Sequence, residues 1–150
     1  MKYENDLGLS EILSNYLFIY LKKLKWNINL IIPVPLNQVR LNERGYNQAA
    51  LLSFPLALRM EAKYRPNAIS RIKNTKSQVG LNEIERHKNV LDAFVADRKA
   101  VHSKDVLIID DVTTTGATLN AVAHAAKKGG ARSIYCLTLA RAQHITDNLQ

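Results

Sequence analysis

The spacing of apolar residues changes several times along the chain, and each change marks a new element. Leu9, Ile12, Leu13, Tyr16, Leu17, Tyr20 and Leu24 recur at helical spacing, which predicts an amphipathic first helix with Ser10 or Asp6 as its cap. Residues 30–34 form a short apolar strand that Pro33 and Pro35 close with an extended turn, because proline fixes φ and restricts the residue before it. A second helix is expected from Tyr46 or Asn47 towards Met60, with Pro55 kinking or dividing it. Residues 68–72 and 93–96 read as strands, and residues 82–89 as a short helix between them.

The clearest pattern lies further on. Residues 106–109 are a continuous apolar run, read as a strand buried on both faces, as in parallel sheets. Asp110 and Asp111 then emerge at its carboxyl end, where open α/β sheets bind ligands. Leu119, Val122, Ala123 and Ala126 are spaced for one face of a helix that Gly129 and Gly130 end, and residues 133–140 read as a last strand. Strands alternating with helices argue for an α/β fold with a mostly parallel, doubly wound sheet flanked by helices. The 150 residues, 47% of them apolar, support one core rather than two, and no repeat, low-complexity segment or linker divides them. A single domain over residues 1–150 is expected.

Thr114, Thr115, Gly116, Ala117 and Thr118 form the turn that enters this later helix. Unpaired N–H groups and the positive end of the helix dipole favour an anion there, threonine hydroxyls add donors, and Gly116 allows close backbone approach. Two carboxylates beside an anion cradle suit a ligand with both vicinal hydroxyls and a phosphate. The turn taken alone is equally compatible with an ordinary strand-to-helix connection, a threonine cap and two solvated aspartates.

Residues 106–118, Val-Leu-Ile-Ile-Asp-Asp-Val-Thr-Thr-Thr-Gly-Ala-Thr, resemble the 5-phosphoribosyl-1-pyrophosphate (PRPP) signature of type I phosphoribosyltransferases. The resemblance implies that fold. It also implies that Asp110 and Asp111 are the catalytic acids contacting the ribose hydroxyls, and that Thr114, Thr115, Gly116, Ala117 and Thr118 hold the 5-phosphate. Thr113 departs from the apolar residue many members have there. Residues 33–48, Pro-Val-Pro-Leu-Asn-Gln-Val-Arg-Leu-Asn-Glu-Arg-Gly-Tyr-Asn-Gln, narrow the resemblance to the ComF family, with Asn37 replacing a common His and Tyr46 a common Phe. Arg40 and Arg44 are then pyrophosphate contacts on a loop leaving the strand, where guanidinium geometry suits phosphate; otherwise they lie on a solvated turn beside Glu43. Residues 71–81, with Arg86 and Asn89, also match ComF spacing, and the corresponding region in phosphoribosyltransferases is a loop closing over PRPP. Arg71, Lys73, Gln78 and Arg86 are its candidate contacts, with Lys73 offering a point charge where arginine is usual. Gln78 and Arg86 equally suit a structural tie to the next helix.

The ComF resemblance runs from residue 2 to residue 141 and implies an enzyme that binds Mg²⁺-PRPP and transfers the phosphoribosyl group to an unidentified nucleophile. It links the chain to DNA uptake, competence or nucleotide metabolism. Many members carry a cysteine-rich zinc module before this domain, and the 150 residues contain none. Magnesium is implied by the resemblance, since it bridges substrate phosphates with few protein ligands. His87, His102, His124 and His144 show no metal-ligand spacing, so no protein metal site is expected.

Charge opens a second reading. The formal net charge of +8 attracts phosphates irrespective of sequence, which suits a non-catalytic PRPP or nucleotide sensor, or a competence adaptor on single-stranded DNA. Against a dedicated nucleic-acid surface, several cations fall within the PRPP segments and the aromatic residues are scattered. PRPP, an acceptor, single-stranded DNA, a competence-machinery protein and a second copy of the chain are thus the candidate partners. Cys136 is expected to be a buried strand residue. No apolar run spans a bilayer and residues 1–7 are charged where a signal peptide is apolar, so a cytoplasmic protein without membrane association is expected.

Overall fold

Four successive apolar residues, Val106, Leu107, Ile108 and Ile109, send side chains alternately to both faces of a strand, so each face needs a covering layer. A computed structural model, which describes residues 2–72 and 92–142 (the backbone alone for residues 2–7 and Arg40), supplies both layers. Its elements are helix α1 (Lys2–Leu24), strand β1 (Leu30–Pro33), helices α2 (Gln38–Arg44) and α3 (Gln48–Arg59), and strands β2 (Lys63–Tyr64), β3 (Ile69–Arg71) and β4 (Phe94–Ala96). Helix α4 (Arg98–Val101), strand β5 (Asp105–Thr113), helix α5 (Ala117–Lys128) and strand β6 (Ser133–Arg141) follow.

Among the described residues the main sheet has four strands, all parallel, in the order β2-β1-β5-β6. On one face Leu30, Ile32, Val106 and Ile108 pack with α5 and with β3 and β4; on the other Ile31, Leu107 and Ile109 pack with α1 and α3. The expected mostly parallel sheet with helices on both faces is therefore the architecture. β3 and β4 stand apart from it as a separate antiparallel pair packed over the α5 face.

Several local expectations are corrected. α1 begins at Lys2, so Ser10 lies inside the helix, where it is buried, and does not cap it. Its buried side carries Ser10, Ser14, Leu17 and Leu21, while Leu9, Ile12, Tyr16 and Tyr20 are exposed. The helix has apolar residues on two stripes, and only one of them meets the core. Pro55 sits within one undivided helix, because Leu52, Leu56 and Ala57 on both sides of it are buried against the sheet. Cys136 is exposed rather than buried, since β6 is the edge strand among the described residues. The helix expected over residues 82–89 lies outside the described residues.

The amino ends of the strands are fastened by one buried carboxylate. Asp105 accepts hydrogen bonds from Arg132 Nε at 2.8 Å, from Arg132 Nη2, and from Asn27 Nδ2 at 3.0 Å. Its own N–H donates to Asn29 Oδ1 at 3.1 Å, and Asn29 N–H donates back to the Asp105 carbonyl at 2.9 Å. The residues before β1 and β6 are thus tied to the first residue of β5. The Arg132 guanidinium holds the Asp105 carboxyl below its ordinary range, outweighing the opposing effect of burial. Its contribution to stability is present above the ordinary carboxylate range and is lost as pH falls through the lowered value. Asp105→Asn should therefore melt below the parent at neutral pH, with the difference closing in strong acid, as followed by circular dichroism.

Candidate functional site

β5 does not stop where its apolar run stops. It continues through Asp110 and Asp111 to Thr113, paired among the described residues with β6 alone over this last stretch: Asp110 opposite Thr138, Val112 opposite Ala140 and Thr113 opposite Arg141. On its other side, β1 ends at Pro33 opposite Ile109, and the last bond across is Val34 N–H to the Ile109 carbonyl at 2.8 Å. The two acids consequently lie within the strand rather than beyond it, at the point where its β1 neighbour leaves.

Both carboxylates are half-buried. Asp110 Oδ1 accepts the Asp111 backbone N–H at 3.0 Å. Burial pushes the Asp110 carboxyl up to about 6, and the adjoining Asp111 carboxyl pushes in the same direction, while the Asp111 N–H opposes them. Among the described residues the two half-buried acids receive no donors besides that N–H. Hydroxyls or a cation would supply them.

The turn after β5 reaches helix α5 through Gly116, whose φ of 82° is left-handed backbone. No side chain caps the helix, although Thr115 Oγ1 accepts the Ala117 N–H at 3.3 Å. Thr114, Thr115, Ala117 and Thr118 are exposed. Hydroxyls and the amino end of a twelve-residue helix therefore face solvent immediately after the acids. Nothing lies within 4 Å of where a Gly116 Cβ would be, so backbone conformation alone requires glycine there.

Arg40 and Arg44 lie on a helix, not on the loop expected for them. Asn37 caps α2 by accepting the Val39 N–H at 2.9 Å, and Gly45, with φ of 80°, closes it. Arg44 is exposed in the last turn and forms no ion pair with Glu43 or any other described residue. α2 follows β1 directly, so it stands at the same edge of the sheet as Asp110. Asn47 fixes the motif after it: its Oδ1 accepts the Ala49 N–H at 3.0 Å and its Nδ2 donates to the Val34 carbonyl at 2.9 Å. Arg71, in β3, rests its guanidinium 5.4 Å from the Phe94 ring centre. It shares a cleft of about 460 Å³ with Pro33, Gln38, Leu41 and Asn47. Lys73, Gln78 and Arg86, with the rest of the expected lid, lie outside the described residues.

Two residues that sequence reasoning missed support the acidic strand and its turn. The Thr138 hydroxyl lies between two carbonyls, Ala140 at 2.9 Å and Asp111 at 3.3 Å, and Arg141 Nε donates to the Thr114 carbonyl at 3.3 Å. Their only sequence signal is the end of the last apolar run, which gains meaning once β6 is placed in register with β5.

Residues 24–149 match the phosphoribosyl transferase domain family. The chain belongs to that family. Within it, this phosphoribosyltransferase-family chain is of the ComF type. It is 34% identical to Competence protein F of Haemophilus influenzae over 148 residues, covering 94% of this chain and 65% of that protein. It is 32% identical to Competence protein ComFC of Bacillus subtilis over 117 residues, covering 75% of this chain and 44% of that one. The chain thus spans about half to two-thirds of the length of these relatives. Among solved structures, glutamine PRPP amidotransferase from B. subtilis shares the fold at a TM-score of 0.58 and 14% identity, over 89% of this chain and 26% of that one.

The raised Asp110 value has a signed consequence. A carboxyl raised in the folded state contributes stability that is present below its unfolded value and lost as pH rises through about 6. Asp110→Asn should therefore melt above the parent in mildly alkaline buffer and lose that advantage in acid. Carboxyl-carbon NMR should find Asp110 titrating near 6, and still raised in Asp111→Asn, because burial is the larger cause. Gly116→Ala should cost about 1 kcal/mol in denaturant unfolding, the order of the penalty for left-handed backbone in an L-residue.

Proposed function

We propose that the chain binds PRPP with Mg²⁺ at the carboxyl edge of the sheet and transfers the phosphoribosyl group to a nucleophile. The observation carrying this reading is the sequence of features along β5: two half-buried acids at the level where β1 ends, then an uncapped, hydroxyl-rich helix amino end. Asp110 and Asp111 accept hydrogen bonds from the ribose 2- and 3-hydroxyls. Thr114, Thr115, Gly116, Ala117 and Thr118 hold the 5-phosphate. The bond between ribose C1 and the pyrophosphate oxygen breaks, its electron pair leaves with pyrophosphate, and the nucleophile bonds to C1. The ionised acids favour the positive charge that develops on the ring. Arg44 and Arg40 on α2, Arg71 at the end of β3, and Lys73, Gln78 and Arg86 are the candidates for the pyrophosphate.

Among the described residues, no group of three or more His, Cys, Asp or Glu encloses a metal. Asp110 and Asp111 are oxygen donors of the kind Mg²⁺ accepts, and they fit an ion that keeps most of its shell for water and ligand phosphate. Bound with PRPP, that ion would neutralise charge on the departing pyrophosphate. The names of the relatives support a setting in competence. The net charge of +8 favours a second reading, an adaptor that keeps the fold and associates with single-stranded DNA. Among the described residues no helix is long and apolar enough to cross a membrane.

Mg²⁺-PRPP should raise the melting temperature of the parent, and Asp110→Asn with Asp111→Asn should weaken PRPP binding by about tenfold or more, the order expected for lost hydrogen bonds to charged groups. Binding should strengthen as pH rises through about 6, because the acids accept hydrogen bonds best when ionised. Pyrophosphate release on screening amines and nucleobases tests turnover. PRPP that leaves the melting temperature unchanged would remove the donor-site assignment, and DNA binding that survives the double substitution would favour the adaptor.

A further inference from the structure

Parallel strands share one amino edge, and here that edge is concave. A half-open cleft of about 960 Å³ lies where β1 and β2 begin and where the chain enters β5 and β6. Ile28, Leu30 and Ala68 lie buried beneath it, Pro66 and Ala100 line it, and Tyr64, whose ring meets the Phe54 ring edge-on at 5.4 Å, stands at one side. It is separate from Asp110, Asp111 and the threonine turn, none of which lines it.

The lining carries five cations, Lys63, Arg65, Lys99, Lys104 and Arg132, against two carboxylates, Glu61 and Asp97. Arg132 is answered by Asp105, and the Asp97 carboxylate accepts the Lys99 backbone N–H at 2.9 Å. The side chains of Lys63, Arg65, Lys99 and Lys104 make no hydrogen bond or ion pair with described residues. Lys63 and Arg65 come from the β2 bank, Lys99 and Lys104 from α4 and the residue before β5. Like charges gathered from two banks around a low-dielectric floor raise a positive potential that an anion relieves. One phosphate meets one bank, whereas a chain of phosphates meets both.

We propose that this amino-edge cleft is a second ligand site, independent of the carboxyl-edge acids, that takes a nucleoside polyphosphate. The phosphates lie among Lys63, Arg65, Lys99 and Lys104, and the base and sugar lie over Pro66 and Ala100. The volume is in the range of small-ligand pockets and accommodates one nucleotide.

ATP is the probe. Equilibrium dialysis should find ATP binding in the parent, retained in Asp110→Asn/Asp111→Asn, and weakened about tenfold or more in Lys63→Gln/Arg65→Gln/Lys104→Gln. In the parent, ATP should also protect Lys63, Lys99 and Lys104 from acetylation read by mass spectrometry, a measurement independent of whether the triple variant folds. ATP binding abolished by the aspartate substitutions and untouched by the triple variant would overturn the site. Absence of ATP binding to the parent would overturn it too. If ATP fails while a twenty-nucleotide oligothymidylate binds and protects the same lysines, the cleft belongs to a nucleic-acid strand, and the nucleotide assignment falls.

Discussion

Everything in this fold depends on the burial of β5 on both faces. Val106 and Ile108 are fully enclosed on one side, Leu107 and Ile109 on the other, and each is bonded in register to β1 and β6. Slipping the strand by one residue would exchange all four side chains between two closed cores. The strand therefore holds the residues that follow it at a fixed height above the sheet. β1 is closed at that height by Pro33 and Pro35, so among the described strands Asp110 keeps a neighbour on the β6 side alone. Support from one side and space on the other is what half-buries the acids and lifts the Asp110 carboxyl. A site here follows from strands of unequal length.

Local chemistry of this kind was legible in the sequence where neighbouring residues set it. The run from Val106 to Ile109, the glycine entering α5 and the glycines ending it are decided within a few residues, and strand, turn and helix appear as expected. Periodicity revealed that α1 is a helix, but not its rotation. Ser10 and Ser14 face inward because the core accepts small side chains there, and Ser14 Oγ is satisfied by the Glu11 carbonyl at 2.8 Å. α2 was hidden by its polar composition, although its start and stop signals, Asn37 and Gly45, were present.

The rest of the site needed the third dimension. Thr138 and Arg141 reach Asp111 and Thr114 across twenty-seven residues of sequence, and only the β5–β6 register makes them neighbours. Cys136 is exposed for a related reason. An apolar run marks a strand, but its neighbours decide whether that strand is central or an edge. The motif residues likewise divide by what they touch: Asn37 and Asn47 spend their side chains on helix caps, while Arg44 remains exposed. A family pattern therefore contains scaffold residues beside exposed ones, and hydrogen-bond partners separate them.

A parallel sheet gives its two edges different chemistry, because all strands enter at one and leave at the other. At the leaving edge the backbone turns into helix amino ends, and α5 starts there with N–H groups directed outward beside two acids. At the entering edge the chain arrives from helix carboxyl ends, which favour cations, and Lys127 and Lys128 close α5 on that side. Asp105 neutralises one of the basic residues at this edge, Arg132, and ties three strand entries together. The remaining cations around the cleft are left over from that arrangement rather than consumed by it. The net charge of +8 is consequently not a uniform coat. Part of it lines a concavity at the amino edge of the sheet, the edge opposite the one that carries the acids.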